Sequence, residues 1–124
     1  MKIVNSPSFI NGIKVAKDYG EVIESLKNNE LVMHYEYGDS LSPLLNSGEY
    51  ALIKPCKPIE VKRGDCVFCE VQGVLMVHQV WEISDASHTN ELWFKIGSSM
   101  NTIYGWTKKI YGIAKGTDVY QGLS

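Results

Sequence analysis

The chain has 124 residues, 44% of them hydrophobic, with a formal net charge of -2. That length suits one small domain, large enough to bury about two thirds of its unfolded surface and too small for a second core. With near-balanced charge and no run rich in Lys and Arg there is no phosphate-tracking face, so direct nucleic-acid binding is not expected, although binding through a partner stays open.

No stretch approaches the roughly 18 to 20 apolar residues that span a bilayer, and the N-terminus lacks a basic region followed by a hydrophobic one. The expectation is a soluble cytoplasmic protein with no membrane partner. The odd cysteine count, three, argues against a complete disulfide framework and suits a reducing compartment.

Near the N-terminus, Asp18-Tyr19-Gly20-Glu21 has the form of a capping box, and Val15, Tyr19, Val22, Ile23 and Leu26 fall at helical spacing. The pattern predicts one short amphipathic helix over Lys17 to Lys27, ending in polar Asn28-Asn29. Beyond it the period becomes that of strands. Leu31 to Tyr37, Glu49 to Ile53, Asp65 to Val71, Val74 to Ile83, Leu92 to Ile96 and Trp106 to Ile113 are rich in β-branched and aromatic residues and lie between turn signals. Gln72-Gly73 reads as a hairpin turn, Ser84 to Asn90 as an exposed polar loop, and Asn101 to Trp106 as a turn entering the last strand. Pro55, Pro58 and Lys62-Arg63 mark a loop in which Ile59 and Val61 cover a core edge. The class is mainly β with one short N-terminal helix.

Chemistry concentrates at Gly38-Asp39-Ser40-Leu41-Ser42-Pro43, directly after the apolar run ending at Tyr37. Small polar residues between Gly and Pro make ordinary turns, and such a turn also presents a serine at a strand end with backbone N–H groups free to hold an oxyanion. Serine is a poor nucleophile until a base takes its proton. His78 is the candidate base. Strand alternation puts Met76 and Val80 on its face, and an apolar surround keeps an imidazole neutral; the bland reading is a core histidine satisfied by a carbonyl.

Cys66 and Cys69 have C-x-x-C spacing but lie in a strand, where residues three apart point to opposite faces, so they read as buried structural thiols. His34, His78 and His88 show no paired ligand spacing, and no metal or other cofactor is expected. Trp81, Trp93, Trp106, Tyr104 and Tyr111 read as core or sheet-face aromatics, some able to line a groove for an extended peptide.

Taken in order, Gly38 to Leu45, Gly48 to Ile53, Gly64-Asp65 to Phe68, Val77 to Val80 and Ile110 to Ala114 resemble the sequence boxes of the signal-peptidase and SOS-repressor peptidase superfamily. The resemblance implies a coiled, partly barrel-like β domain over residues 31–124, preceded by an N-terminal arm and short helix over 1–30. It implies Ser40 as nucleophile, supported by the turn of Gly38, Asp39 and Ser42, with the Ser40 backbone N–H as oxyanion donor. His78 takes the base position, where soluble repressor-type members carry lysine and the endoplasmic-reticulum and sporulation types carry histidine.

Two positions depart from the histidine-type pattern: Gln79 stands where an arginine follows the base, and Ser98 stands where an acid orients the imidazole. Asp39, Asp65 and Asp85 are other available acids, with Asp65 expected to fix the turn of its Gly-Asp box. The implied function is a serine endopeptidase acting on an extended peptide or protein segment. The alternative is a catalytically inactive regulatory or binding module, such as mobile elements carry, with a protein or peptide partner. Oligomeric state is left open, a homodimer included.

Overall fold

The structure, a computed structural model, describes residues 8–36, 48–86 and 91–120. Two short strands, β1 (Phe9–Ile10) and β2 (Ile13–Ala16), are followed by helix α1 (Tyr19–Lys27) and strands β3 (Val32–Glu36) and β4 (Glu49–Pro55). A 3-10 turn over Pro58–Glu60 leads to β5 (Cys66–Val71), β6 (Val74–Ala86), β7 (Glu91–Gly97), β8 (Ile103–Thr107) and β9 (Lys109–Tyr120). The strands form one open mixed sheet in the order β1-β2-β3-β4-β9-β5-β6-β7-β8. The fold is mainly β with one short helix, as the periodicity predicts.

Asp18 starts α1 because its extended backbone lies outside the helix while its carboxylate accepts from the Glu21 amide at 2.9 Å. The Glu21 side chain reaches back one residue beyond the cap, to the Lys17 amide. The helix therefore begins at Tyr19 and not at Lys17. Nine residues make a marginal helix in isolation, so its stability comes from the buried face of Val22 and Leu26.

That face covers a core containing Val32, Ala51, Ile53, Phe68, Val77 and Ala114. A second core, on the other side of β5, gathers Val67, Cys69, Val71, Val80, Phe94 and Ile96. β5 is buried on both faces, which is why its sequence is nearly continuously apolar. The same alternation separates Cys66, in the first core, from Cys69, in the second.

Three local readings are corrected. The segment Trp106 to Ile113, expected as one strand, is divided, and Ile103 to Trp106, expected within a turn, belongs to β8. The Thr107 hydroxyl makes the corner: it donates to the Glu70 carbonyl and accepts from the Lys109 amide, so the chain leaves its pairing with β7 and continues beside β5. Ser84 and Asp85, expected in a loop, extend β6 because Trp93 and Leu92 pair with them across the ladder. Of the two residues expected to cover a core edge, Val61 is buried and Ile59 is exposed.

The hairpin β1-β2 adds two strands to those the periodicity predicts, and Asn11 and Gly12 carry the paired positive φ values of its tight turn. β2 runs parallel to β3, with α1 as the crossover. At the far end of β3, the Gly48 amide donates to the Glu36 carbonyl at 2.9 Å, closing the neck of the segment that carries the serine. Among the described residues, no helix is long and apolar enough to cross a membrane.

Candidate functional site

Gly38, Asp39, Ser40 and Ser42 lie outside the described residues. What the structure defines is the neck from which their segment departs and the surroundings of His78. At the neck, β3 and β4 are antiparallel, with Glu36 directly opposite Glu49.

His78 lies in the middle of β6, opposite Val67 of β5. Its face is the one expected, since Met76 and Val80 belong to the second core whereas Val77 belongs to the first. Tyr104 of β8 stacks on the imidazole, with ring centroids 4.4 Å apart and planes 29° from parallel. The ring is half-buried, and its Nδ1 is enclosed with no hydrogen-bond partner among the described residues. Burial holds the His78 pKa below its usual value by penalising the imidazolium, while the negative charge of Glu36 pulls in the opposite direction. Such an imidazole is neutral near pH 7 and can accept a proton.

The Gly-Asp turn braces this part of β6 from one side. Asp65 accepts from the Lys62 amide at 2.8 Å, fixing the turn as expected, and the Gly64 amide donates to the Val80 carbonyl while the Val80 amide donates to the Asp65 carbonyl. Gln79, standing where the histidine-type pattern has arginine, donates to the Gly64 carbonyl at 3.3 Å. Asp85 is an exposed residue near the far end of the long β6 strand.

Ser98 follows β7 and is 1% exposed. Its hydroxyl accepts from the Met100 and Thr102 amides, both at 3.1 Å, while its own amide donates to the Thr102 carbonyl and its carbonyl accepts from the Trp81 indole. Ser98 thus organises the turn between β7 and β8. It contributes no carboxylate.

A cluster that sequence reasoning missed stands beside the neck. The Glu36 carboxylate accepts from the Tyr19 hydroxyl at 3.0 Å through Oε1, and its Oε2 lies 2.6 Å from His34 Nδ1. Since a carboxylate can only accept, that ring nitrogen carries the proton. Burial, followed by the Glu36 charge, raises the Tyr19 pKa far above its usual value and keeps the phenol a donor. The H-x-E spacing of His34 and Glu36 within one strand already put both side chains on one face. The part played by Tyr19, from another element, had no local signal.

The three cysteines are free. Burial pushes the thiols of Cys56 and Cys66 up to about 11 and that of Cys69 up to about 12, so all three stay protonated and unreactive near neutrality. Among the described residues, no group of three or more His, Cys, Asp or Glu side chains converges as a metal site. No family model, no curated protein and no solved structure matches the chain.

Proposed function

We propose that the chain is a cytoplasmic serine endopeptidase with the coiled β fold of the signal-peptidase and SOS-repressor peptidase superfamily, acting through Ser40 and His78. The observation that carries this reading is the state of His78: a histidine kept neutral by burial, with an enclosed Nδ1 that has no partner among the described residues, in the strand that the ordered sequence boxes assign to the base. In the reaction, Ser40 Oγ attacks a peptide carbonyl as His78 takes its proton. The proton passes to the leaving amine, the carbon–nitrogen bond breaks, and water then releases the acyl group by the reverse transfers. Backbone N–H groups of the Gly38 to Ser42 turn, that of Ser40 first, hold the oxyanion.

The substrate class is an extended polypeptide. β8 is one edge of the described sheet, carries exposed Ile103 and Trp106, and contributes the tyrosine that stacks on His78, so a peptide added as a further strand would pass close to the base.

The alternative, a binding or regulatory module that retains the scaffold without catalysis, is favoured by one observation. The position expected to hold an orienting acid is occupied by a serine engaged in its own turn. Labelling with a serine-directed fluorophosphonate separates the readings. The peptidase reading expects an adduct on the Ser40 peptide, absent in Ser40→Ala and strongly reduced in His78→Gln. A folded native chain that takes no label would leave the binding module as the better account.

A further inference from the structure

β4 and β9 are neighbours in the middle of the sheet, and α1 covers one of their two faces. On that side Ile53 and Ala114 join the core beneath Val22 and Leu26. On the other side two separate cores flank the pair: Leu52 of β4 packs at the margin of a core of Val15, Met33 and Tyr50, and Ile113 of β9 at the margin of the core of Val67, Cys69 and Phe94. The seam between them is a cleft of about 210 Å³, lined by Leu31, Leu52, Lys54, Ile113 and Lys115. Leu52 and Ile113 are half-buried, and Leu31 is exposed.

Strand register sets the pattern of charge around this cleft. Leu52 pairs with Lys115 and Lys54 with Ile113, so each lysine faces an aliphatic residue and the two cations stand on one diagonal, about 7 to 8 Å apart at the backbone. Elsewhere in the sheet lysines meet carboxylates: Lys95 with Glu82, Lys108 with Glu91 and Lys109 with Glu70, at 3.1 to 3.4 Å. Among the described residues no carboxylate lies within ion-pair distance of Lys54 or Lys115. A lysine can lay its stem along an apolar wall and keep its ammonium at the rim, so two flexible heads on a diagonal can close on one anion.

We infer that this cleft binds a small anionic amphiphile, a single anionic head on a short alkyl chain, with Lys54 and Lys115 holding the head and Leu31, Leu52 and Ile113 the chain. A neutral apolar ligand would leave two neighbouring cations uncompensated, and a bare inorganic anion would leave the aliphatic lining in water; an amphiphile answers both. The volume lies below the roughly 300 to 1,000 Å³ of pockets for drug-sized molecules, which limits the chain to a short one. The cleft requires nothing of Ser40 or His78, so its ligand is independent of the peptidase reading.

The test is a titration of the full chain with sodium octanoate, followed by NMR of the leucine and isoleucine methyl groups, with Leu52 and Ile113 assigned by the loss of their resonances in Leu52→Val and Ile113→Val. Saturable shifts are expected at both residues, with a Kd of about 1 mM or tighter. Butyrate, shorter by four methylenes worth about fourfold each, should bind at least tenfold more weakly. Lys54→Gln and Lys115→Gln should each weaken octanoate by up to about fivefold and together by about tenfold, while arginine at both positions restores it. Octanol, which lacks the charge, should bind more weakly than octanoate, and added NaCl should weaken octanoate relative to octanol. Shifts that do not saturate or that spare Leu52 and Ile113, octanol binding as tightly as octanoate, or native affinity in the double glutamine variant would each overturn the inference. Should that variant lose the fold, the salt series on the native chain decides instead, and octanoate binding indifferent to salt overturns it equally. Labelling of Ser40 is read separately, so a native chain that takes no fluorophosphonate counts against the peptidase reading and leaves the octanoate result standing.

Discussion

Tyr104 of β8 lies face to face with His78 of β6, 4.4 Å away between ring centroids, although the two strands are separated in the sheet by β7. The stacked ring excludes water from one side of the imidazole. It therefore contributes to the burial that lowers the His78 pKa.

Tyr104→Ala removes that cover. The His78 midpoint should rise toward the usual histidine value of about 6.5, and the acid limb of any Ser40 labelling should move to higher pH with it. NMR titration and a labelling profile read the two shifts separately. A midpoint that stays put would mean that the stacked ring does not control access of water to His78.

The same shift makes stability depend on pH. The His78 pKa is lower folded than unfolded, so the group's contribution is fully present above the unfolded value, near 6.5, and is lost as pH falls through the lower folded value, where the unfolded chain binds the proton more readily. Urea denaturation as a function of pH should show the native chain losing more stability than His78→Gln below about pH 6.5. Equal losses would remove His78 as the cause.

Ser98→Ala should destabilise the chain by about 1 to 3 kcal/mol, because it removes the two hydrogen bonds that the Ser98 hydroxyl accepts from the Met100 and Thr102 amides, worth about 0.5 to 1.5 kcal/mol each. A carboxylate can accept from both amides, so Ser98→Asp should retain more of the turn than Ser98→Ala while leaving Ser40 labelling unchanged. A marked rise in labelling would show that a carboxylate at position 98 can orient the His78 imidazole. Denaturant midpoints and probe kinetics give both answers.

Gly97→Ala should cost about 1 to 3 kcal/mol or more. A Cβ there would meet the Thr102 carbonyl oxygen at 2.6 Å and the Trp81 Nε1 at 2.8 Å, both held by the Ser98 turn. Backbone cannot yield as a flexible side chain does. A variant as stable as the native chain would show that the turn adjusts freely.

The sequence by itself determined what depends on neighbours a few residues apart. Alternation identified β3 to β7 and the face of His78, Asp18 marked the start of α1, Gln72-Gly73 marked the hairpin whose residues have φ values of 50° and 82°, and the spacing of Cys66 and Cys69 sent them to opposite cores. Asn11-Gly12 is a comparable hairpin pair, but the strands it joins are too short to show alternation.

Only the tertiary structure decided what depends on the order of strands. Tyr19 meets Glu36 because β2, α1 and β3 form a parallel crossover. β8 and β9 separate because the Thr107 hydroxyl finds the Glu70 carbonyl, far away in sequence. Tyr104 reaches His78 because β8 folds back beyond β7. Period and capping are properties of the local backbone, whereas which side chains share a site follows from how a sheet of distant strands is ordered and coiled, and no local pattern encodes that.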